Sequence, residues 1–202
     1  KTVYYKVTGG DYYSDKTGSA TVTVSKGTCT APTGVTIGTD GKVTWTASST
    51  ATSYQISIDN STFTAASSGV DYKSTITAAT GSRTVYVRSV CSSTNYDTPS
   101  ANATASTTVY SVALTKGTGI SAVSGAGNYI TGATVAIDAT VSTGYTWSKW
   151  TQTSGGSQVS TTQAYSAAMS SNWAYTANAT ANTYQVKYNN ACDLTASGTM
   201  SN

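Results

Sequence analysis

The chain has 202 residues and a formal net charge of +3, and charged residues make up only 9 % of it. Globular proteins average roughly 25 % charged residues. Disordered chains usually combine low hydrophobicity with high net charge, whereas hydrophobic residues here reach 38 %. The composition therefore predicts a folded chain, long enough for one large or two small domains.

The sequence contains no histidine and no glutamate. Without histidine, neither a Ser-His-Asp nor a Cys-His arrangement exists, and the commonest transition-metal ligand is missing. The closest acids in sequence, Asp11 and Asp15, lie in a turn-like tyrosine-rich stretch. A paired-aspartate glycosidase remains a formal alternative. We predict that the chain is not an enzyme and holds no cofactor or metal.

The distribution of charge and of apolar residues argues against two classes of partner. Lysines are scattered with no basic stripe, so we predict no nucleic-acid binding. No apolar run approaches the roughly 20 residues of a membrane helix, so we predict no membrane span. The chain opens with a strand pattern, without an initiator Met or a signal peptide, and we interpret it as a piece of a longer protein.

Residues 1–26 predict a β-hairpin. Alternation in the first strand places Val3, Tyr5 and Val7 on one face. The return strand is predicted over 20–25. A lone hairpin is marginally stable in water, so this pair is expected to belong to a larger sheet.

This opening segment, TVYYKVTGGDYY followed by TGSATVTVSK, resembles the last two strands of a bacterial immunoglobulin-like domain. The resemblance implies that residues 1–26 end a truncated domain. Tyr4, Tyr12 and Tyr13 are predicted to lie outside the hairpin's own buried face. Either they pack between neighbouring modules, or they contact a protein or glycan partner, for which tyrosine offers a large contact area at low entropic cost.

Residues 27–108 contain short strand patterns separated by turn signals, which is typical of a β-sandwich. Candidate strands are Val35–Ile37, Val43–Trp45, Tyr54–Ile58, Ser74–Ile76 and Thr84–Val90.

The motifs CTAPTGV at 29–35, VTWT at 43–46, ATSYQI at 51–56 and VYVRSVC at 85–91 resemble a bacterial fibronectin type III domain. The resemblance implies a sandwich whose core includes Trp45 and in which Cys29 and Cys91 lie in the same region. From this we expect a Cys29–Cys91 disulfide, which persists outside the cytosol. Two buried thiols are the alternative.

Residues 109–182 change in character and become glycine-rich. The GYTWSKW segment at 144–150, the preceding GATV at 132–135 and a turn containing Met169 resemble the B-repeat of internalin-type surface proteins, a small β-grasp-like module. Trp147 and Trp150 share a face only if a bulge separates them. Either one indole is exposed and stacks on sugar, or both join Trp173 in the core.

Residues 183–202, from TYQVKYNN at 183–190 to GTMSN at 198–202, resemble the opening strand of a Listeria–Bacteroides-type surface repeat. Cys192 is then either free or paired with a cysteine outside this sequence.

Taken together, the expected fold is all-β, a tandem of small modules in which a fibronectin III/Ig-like sandwich precedes a β-grasp-like module. We expect a structural or stalk segment of an extracellular bacterial surface protein, an adhesin or a surface filament, whose partners are neighbouring modules of the same chain. One alternative is an accessory region that binds a glycan or a host surface protein, including one attached to a secreted enzyme. Another is a strand-exchanged filament subunit, with edge strands near 1–8 and 183–190 filled by other copies.

Overall fold

The computed structural model describes residues 1–189 and 195–201, with side chains placed as far as Gln185. In chain order its strands and one short helix are β1 (Thr2–Val7), β2 (Lys16–Thr21), β3 (Gly27–Thr28), β4 (Thr33–Ile37), β5 (Lys42–Thr46), β6 (Ala51–Ser57), β7 (Thr64–Ala66), β8 (Val70–Asp71), α1 (Lys73–Ile76), β9 (Gly81–Cys91), β10 (Tyr96–Asp97), β11 (Ala103–Lys116), β12 (Ile120–Ser124), β13 (Gly127–Ile130), β14 (Thr134–Val141), β15 (Tyr145–Gln152), β16 (Gln158–Ser160), β17 (Tyr165–Ala168), β18 (Trp173–Ala181), β19 (Thr183–Asn189) and β20 (Thr195–Ser201). The fold is all-β, as the sequence predicted.

One large sheet runs through most of the molecule. It has 8 strands, in the order β16-β15-β18-β11-β9-β6-β7, with β13 paired to β11 beside this path. Two smaller sheets pack against it. They are β4-β5-β8 and β12-β14-β17. We call the large sheet the shared sheet, because it forms one layer of both sandwiches.

The first sandwich lies between the shared sheet and β4-β5-β8. Alternation along β5 buries Val43 and Trp45, and the core continues mainly with valine and isoleucine. Its buried members are Val43, Trp45, Ile56, Ile76, Val85, Val87, Val109 and Ile130. The predicted sandwich core around Trp45 is therefore present.

The second sandwich lies between the shared sheet and β12-β14-β17, and its core is more aromatic. Alternation along β14 buries Val135, Ile137 and Ala139. Against them pack the buried residues Val112, Ile120, Trp150, Met169, Trp173, Tyr175 and Ala177.

The strand predicted at Ser74–Ile76 is wrong: these residues belong to α1. The Asp71 carboxylate accepts the Lys73 N–H at 2.6 Å, and the Tyr72 carbonyl accepts the N–H groups of Thr75 and Ile76. These local bonds turn the chain, and Ile76 still reaches the core as a fully buried residue.

The return strand of the first hairpin also differs from the prediction. It covers Lys16–Thr21 instead of 20–25, and Val7 pairs with Lys16. Lys6 and Asp15 form an ion pair next to this end of the hairpin, and Asp15 also accepts the Gly9 N–H at 3.0 Å. The polar turn sets the register, and the Val22–Val24 pattern does not.

Each end of the chain is a two-stranded sheet of its own, β1-β2 and β19-β20. The larger sheet expected around β1 and β2 is not formed in the described part of the chain. Tyr4 is 81 % exposed and Tyr5 53 % exposed, so alternation does not give this hairpin a buried face. Cys192 lies outside the described residues.

Candidate functional site

The feature that organises the molecule is the joint between the two sandwiches, and β11 passes through it without interruption. β11 pairs antiparallel with β9 from Ala103 to Val109. It then pairs parallel with β18 from Val112 to Lys116. The boundary drawn at residue 108 from the sequence falls inside this strand.

Strand β13 bridges the joint along the other edge of β11. Val109 is paired with Gly81 of β9 and with Ile130 of β13. Val112 is paired both with Trp173 of β18 and with β13. Since a strand has only two edges, β9 and β18 follow one another on one edge, and β13 covers the position where they meet from the opposite edge.

An asparagine side chain closes the gap between β9 and β18. Asn172 immediately precedes β18, and its Oδ1 accepts the backbone N–H of Ser111 at 2.9 Å. The same oxygen accepts the Ser111 hydroxyl at 3.3 Å. A side chain thus replaces the ladder hydrogen bond that neither flanking strand supplies.

Each of the two joint strands contributes to both cores. Val109 and Ile130 lie opposite each other and are both buried in the first core. Their neighbours Tyr110 and Tyr129 lie opposite each other and pack against the second core. Because successive residues point to opposite faces, the two smaller sheets cover opposite faces of the shared sheet.

Contacts outside the ladder also cross the joint. Asn128 of β13 donates its side-chain N–H to the carbonyl of Thr77, just after α1, at 2.9 Å. Sequence reasoning missed the joint because its strands pair over long separations. Ser111 and Asn172, for example, are 61 residues apart, and no local motif marks them.

The cysteines expected to pair do so in the structure. Cys29 follows β3, Cys91 ends β9, and their Cα atoms are 5.9 Å apart across the disulfide. Both residues are 4 % exposed. Beside them β3 pairs parallel with β10, so the start of the first sandwich is tied to the end of β9 by a covalent bond and to β10 by a short ladder.

The tyrosines singled out on the first hairpin are exposed. Tyr12 is 93 % exposed, Tyr13 82 % and Tyr4 81 %. Tyr12 and Tyr13 lie between β1 and β2, where the N–H of Tyr13 is donated to the Gly10 carbonyl at 3.0 Å. The structure places these three side chains on one hairpin, and their contact with a partner stays a prediction.

The tryptophan pair requires a correction. A bulge separates Trp147 from Lys149 in β15, so Trp147 and Trp150 meet edge to face with ring centroids 5.4 Å apart. Trp150 is completely buried and donates its indole N–H to the Gln163 carbonyl at 2.8 Å. Trp150 therefore cannot contact a ligand, because its ring edge and faces are enclosed in the second core.

Trp147 is half-buried at the rim of the same core. Its indole N–H is donated to the Thr161 carbonyl at 2.8 Å. Trp173 stacks on Tyr175 with centroids 5.4 Å apart and an interplanar angle of 18°. Burial raises the pKa of Tyr175, and the nearby Tyr165 phenol raises it further. These aromatics form the core that the alternative interpretation expected.

A cavity opens at one end of the first sandwich, near the turn after β6. Its lining includes Ile56, Asp59, Thr64 and Tyr72. The Asp59 carboxylate accepts hydrogen bonds from the Ser57 hydroxyl and from the N–H groups of Thr62 and Ser61. These bonds hold the pKa of Asp59 well below its usual range, and the bond from Ser57 lowers it most. The carboxylate organises its own turn.

Within the residues that the structure describes, no cluster of three or more metal-binding side chains occurs. No helix among these residues is long and apolar enough to cross a membrane.

No family model matches this chain, and no curated protein or solved structure matches it. The resemblances drawn from motifs therefore remain hypotheses, and the function is argued from the joint and from the exposed surfaces.

Proposed function

We propose that this chain is a structural or stalk segment of an extracellular bacterial surface protein, which links or presents functional parts. The observation that carries the proposal is the uninterrupted course of β11 through both sandwiches. Domains joined by a linker move relative to one another by default. Here a bend would break the β13 pairs and disturb both cores, because β11 and β13 contribute side chains to each of them.

The disulfide and the low content of charged residues both support an extracellular stalk. A disulfide between Cys29 and Cys91 persists in oxidising compartments and is rare in the cytosol. Charged residues make up only 9 % of the chain. Low charge limits electrostatic repulsion between neighbouring copies, which suits close lateral packing on a surface.

A surface-accessibility experiment on the source bacterium tests this function. We expect antibodies against the folded chain to label intact cells, and brief protease treatment of those cells to release peptides of this sequence. As a control, a cytosolic protein of the same cells must stay unlabelled. Labelling that appears only after lysis would contradict the proposal.

The exposed tyrosines favour a second candidate, an accessory region that binds a glycan or a protein through the β1-β2 hairpin. The side chains of Tyr12 and Tyr13 are almost fully exposed and do not pack into a core. This candidate predicts saturable binding of the immobilised chain to a glycan or surface-protein array, lost when both residues are replaced by serine. The matched control is Tyr184→Ser, which changes a half-exposed tyrosine outside this hairpin. A stalk without this role gives no saturable binding.

A further inference from the structure

We propose that this chain resists stretching along its length through two separate devices, one in each sandwich. In the second sandwich the device is the parallel pairing of β11 with β18. In the first it is the Cys29–Cys91 disulfide. The biological use of this resistance rests on the stalk function proposed above, whereas the mechanical behaviour itself follows from the strand connections alone.

The geometry of β11 and β18 places the second sandwich under shear. Tension from the first sandwich enters at the start of the β11 segment, at Val112, and leaves through the end of β18, beyond Ala181. The two strands run parallel and lie side by side from Val112↔Trp173 to Lys116↔Ala177. Opposite pulls on these ends slide one strand along the other, so the pairs share the force instead of opening one after another.

Contacts at both ends of this parallel ladder extend it. At its start Asn172 accepts the Ser111 N–H. At its end the Gly117 N–H is donated to the Ala177 carbonyl at 2.9 Å. Trp173 and Tyr175 anchor β18 in the core, so sliding would also drag buried aromatic rings through a packed interior.

The disulfide acts differently, because it removes most of the first sandwich from the path of the force. Tension arriving at Gly27 reaches Cys29, crosses the sulfur atoms to Cys91, and continues towards β11. The two cysteines are 62 positions apart in sequence. The chain between them stays unstretched whether or not it unfolds. At about 3.3–3.6 Å per extended residue, this hides roughly 200 Å of chain.

The chain offers two matched variants that separate the parallel ladder from its neighbour. Ala113 and Ala174 are register partners, and both are exposed. Along β11 the N–H groups of Ser111 and Gly117 point to the β18 edge, so alternation directs the Ala113 N–H there too. The carbonyl of Ala174 accepts the Thr153 N–H, so the backbone N–H of Ala174, which points to the same edge as its carbonyl, faces β15 instead of β11. Proline at either position removes one N–H, but only Ala113→Pro removes it from the parallel ladder.

The test is single-molecule force spectroscopy on the full chain held by peptide tags at its two ends. A second attachment geometry serves as the control, with tags inserted at Gly144 and at Asn182. These residues flank the register pair Tyr145↔Ala181, and the chain between them contains both β15 and β18, so this pull opens their antiparallel ladder pair by pair from one end. We expect the end-to-end pull to need the higher rupture force, and Ala113→Pro to lower that force more than Ala174→Pro does.

The disulfide makes an independent prediction in the same instrument. Under oxidising conditions the end-to-end pull should never release the hidden segment. Addition of a reductant, or the Cys29→Ala/Cys91→Ala variant, should lengthen the fully extended chain by roughly 200 Å.

Three results would overturn the inference. They are equal or lower rupture force in the end-to-end geometry, an Ala174→Pro effect as large as that of Ala113→Pro, and full extension without reductant. Because the wild-type comparison of two geometries needs no substitution, it decides the matter even if a proline variant fails to fold. The cell-surface experiment can fail while these results hold, so the stalk function and the mechanical inference are separable.

Discussion

The two sandwiches reach stability by different routes. The first has a core of valine and isoleucine with one tryptophan, and a disulfide closes it. The second has no disulfide in its described residues, and packs two tryptophans, a tyrosine and a methionine as buried residues instead. Each buried aromatic removes roughly 150–250 Å² from water. The second sandwich is therefore stabilised by its buried aromatic side chains, whereas the first relies in part on its disulfide.

The largest effect is expected from Trp150→Ala in the second sandwich. Trp150 is fully buried, and its loss leaves a cavity and an unpaired Gln163 carbonyl. Such truncations cost about 3–5 kcal/mol, and we expect the upper end in urea denaturation. The control is Trp147→Ala at the half-buried rim, which should cost clearly less. Equal costs would show that the aromatic core is not centred on Trp150.

Removal of the disulfide is expected to be the next largest effect. Closing a loop of 62 positions stabilises the folded state by about 4 kcal/mol on the chain-entropy model. The Cys29→Ala/Cys91→Ala variant should lose about that much in urea denaturation. Reduction of the wild-type protein should have the same effect. A loss under about 1 kcal/mol would mean that the first core closes without its crosslink and would remove the contrast between the sandwiches.

A smaller effect is expected at the joint, from Asn172→Ala. The variant loses the hydrogen bond to the Ser111 N–H, and a neutral hydrogen bond contributes about 1 kcal/mol. Urea denaturation should show this loss, and hydrogen exchange of the Ser111 amide should accelerate. Asn182→Ala is the control, because Asn182 also bonds an exposed side chain, the Thr146 hydroxyl, but lies away from the joint. An unchanged Ser111 amide would contradict the bridging role of Asn172.

The smallest effect concerns pH and the first sandwich alone. Hydrogen bonds from Ser57, Thr62 and Ser61 lower the folded-state pKa of Asp59 below its unfolded value of about 3.9. The carboxylate therefore stabilises the fold above the unfolded pKa, and this contribution is lost as pH falls through the folded pKa. We expect the urea midpoint to decline below about pH 4 and to decline less in Asp59→Asn. Identical pH profiles would contradict this role.

The sequence predicted the features that local patterns encode. The motif resemblance predicted Trp45 as a core residue, and it is buried. The spacing of Trp147 and Trp150 predicted that they share a face only across a bulge, and β15 contains that bulge. The cysteine pairing followed from a resemblance between motifs. The strand predicted at Ser74–Ile76 was wrong, because β-branched residues that are typical of strands also fit a single helical turn anchored by Asp71.

What local patterns could not predict is the joint. Whether β11 ends at one sandwich or continues into the next depends on β13 and β18, which pair with it from later in the chain. Val109 and Val112 are three positions apart on one strand, so alternation directs them to opposite faces, but only the positions of the two smaller sheets show which core covers each face.

The central claim is that the shared strand couples the two sandwiches into one folding unit. Native-state hydrogen exchange at increasing urea concentration tests it most directly, read at core amides of β5 in the first sandwich and β14 in the second. The account predicts that the most protected amides of both strands converge on one opening free energy with one urea dependence. Separate global openings, with β14 exchanging while β5 stays protected or the reverse, would show two independent modules and contradict the account.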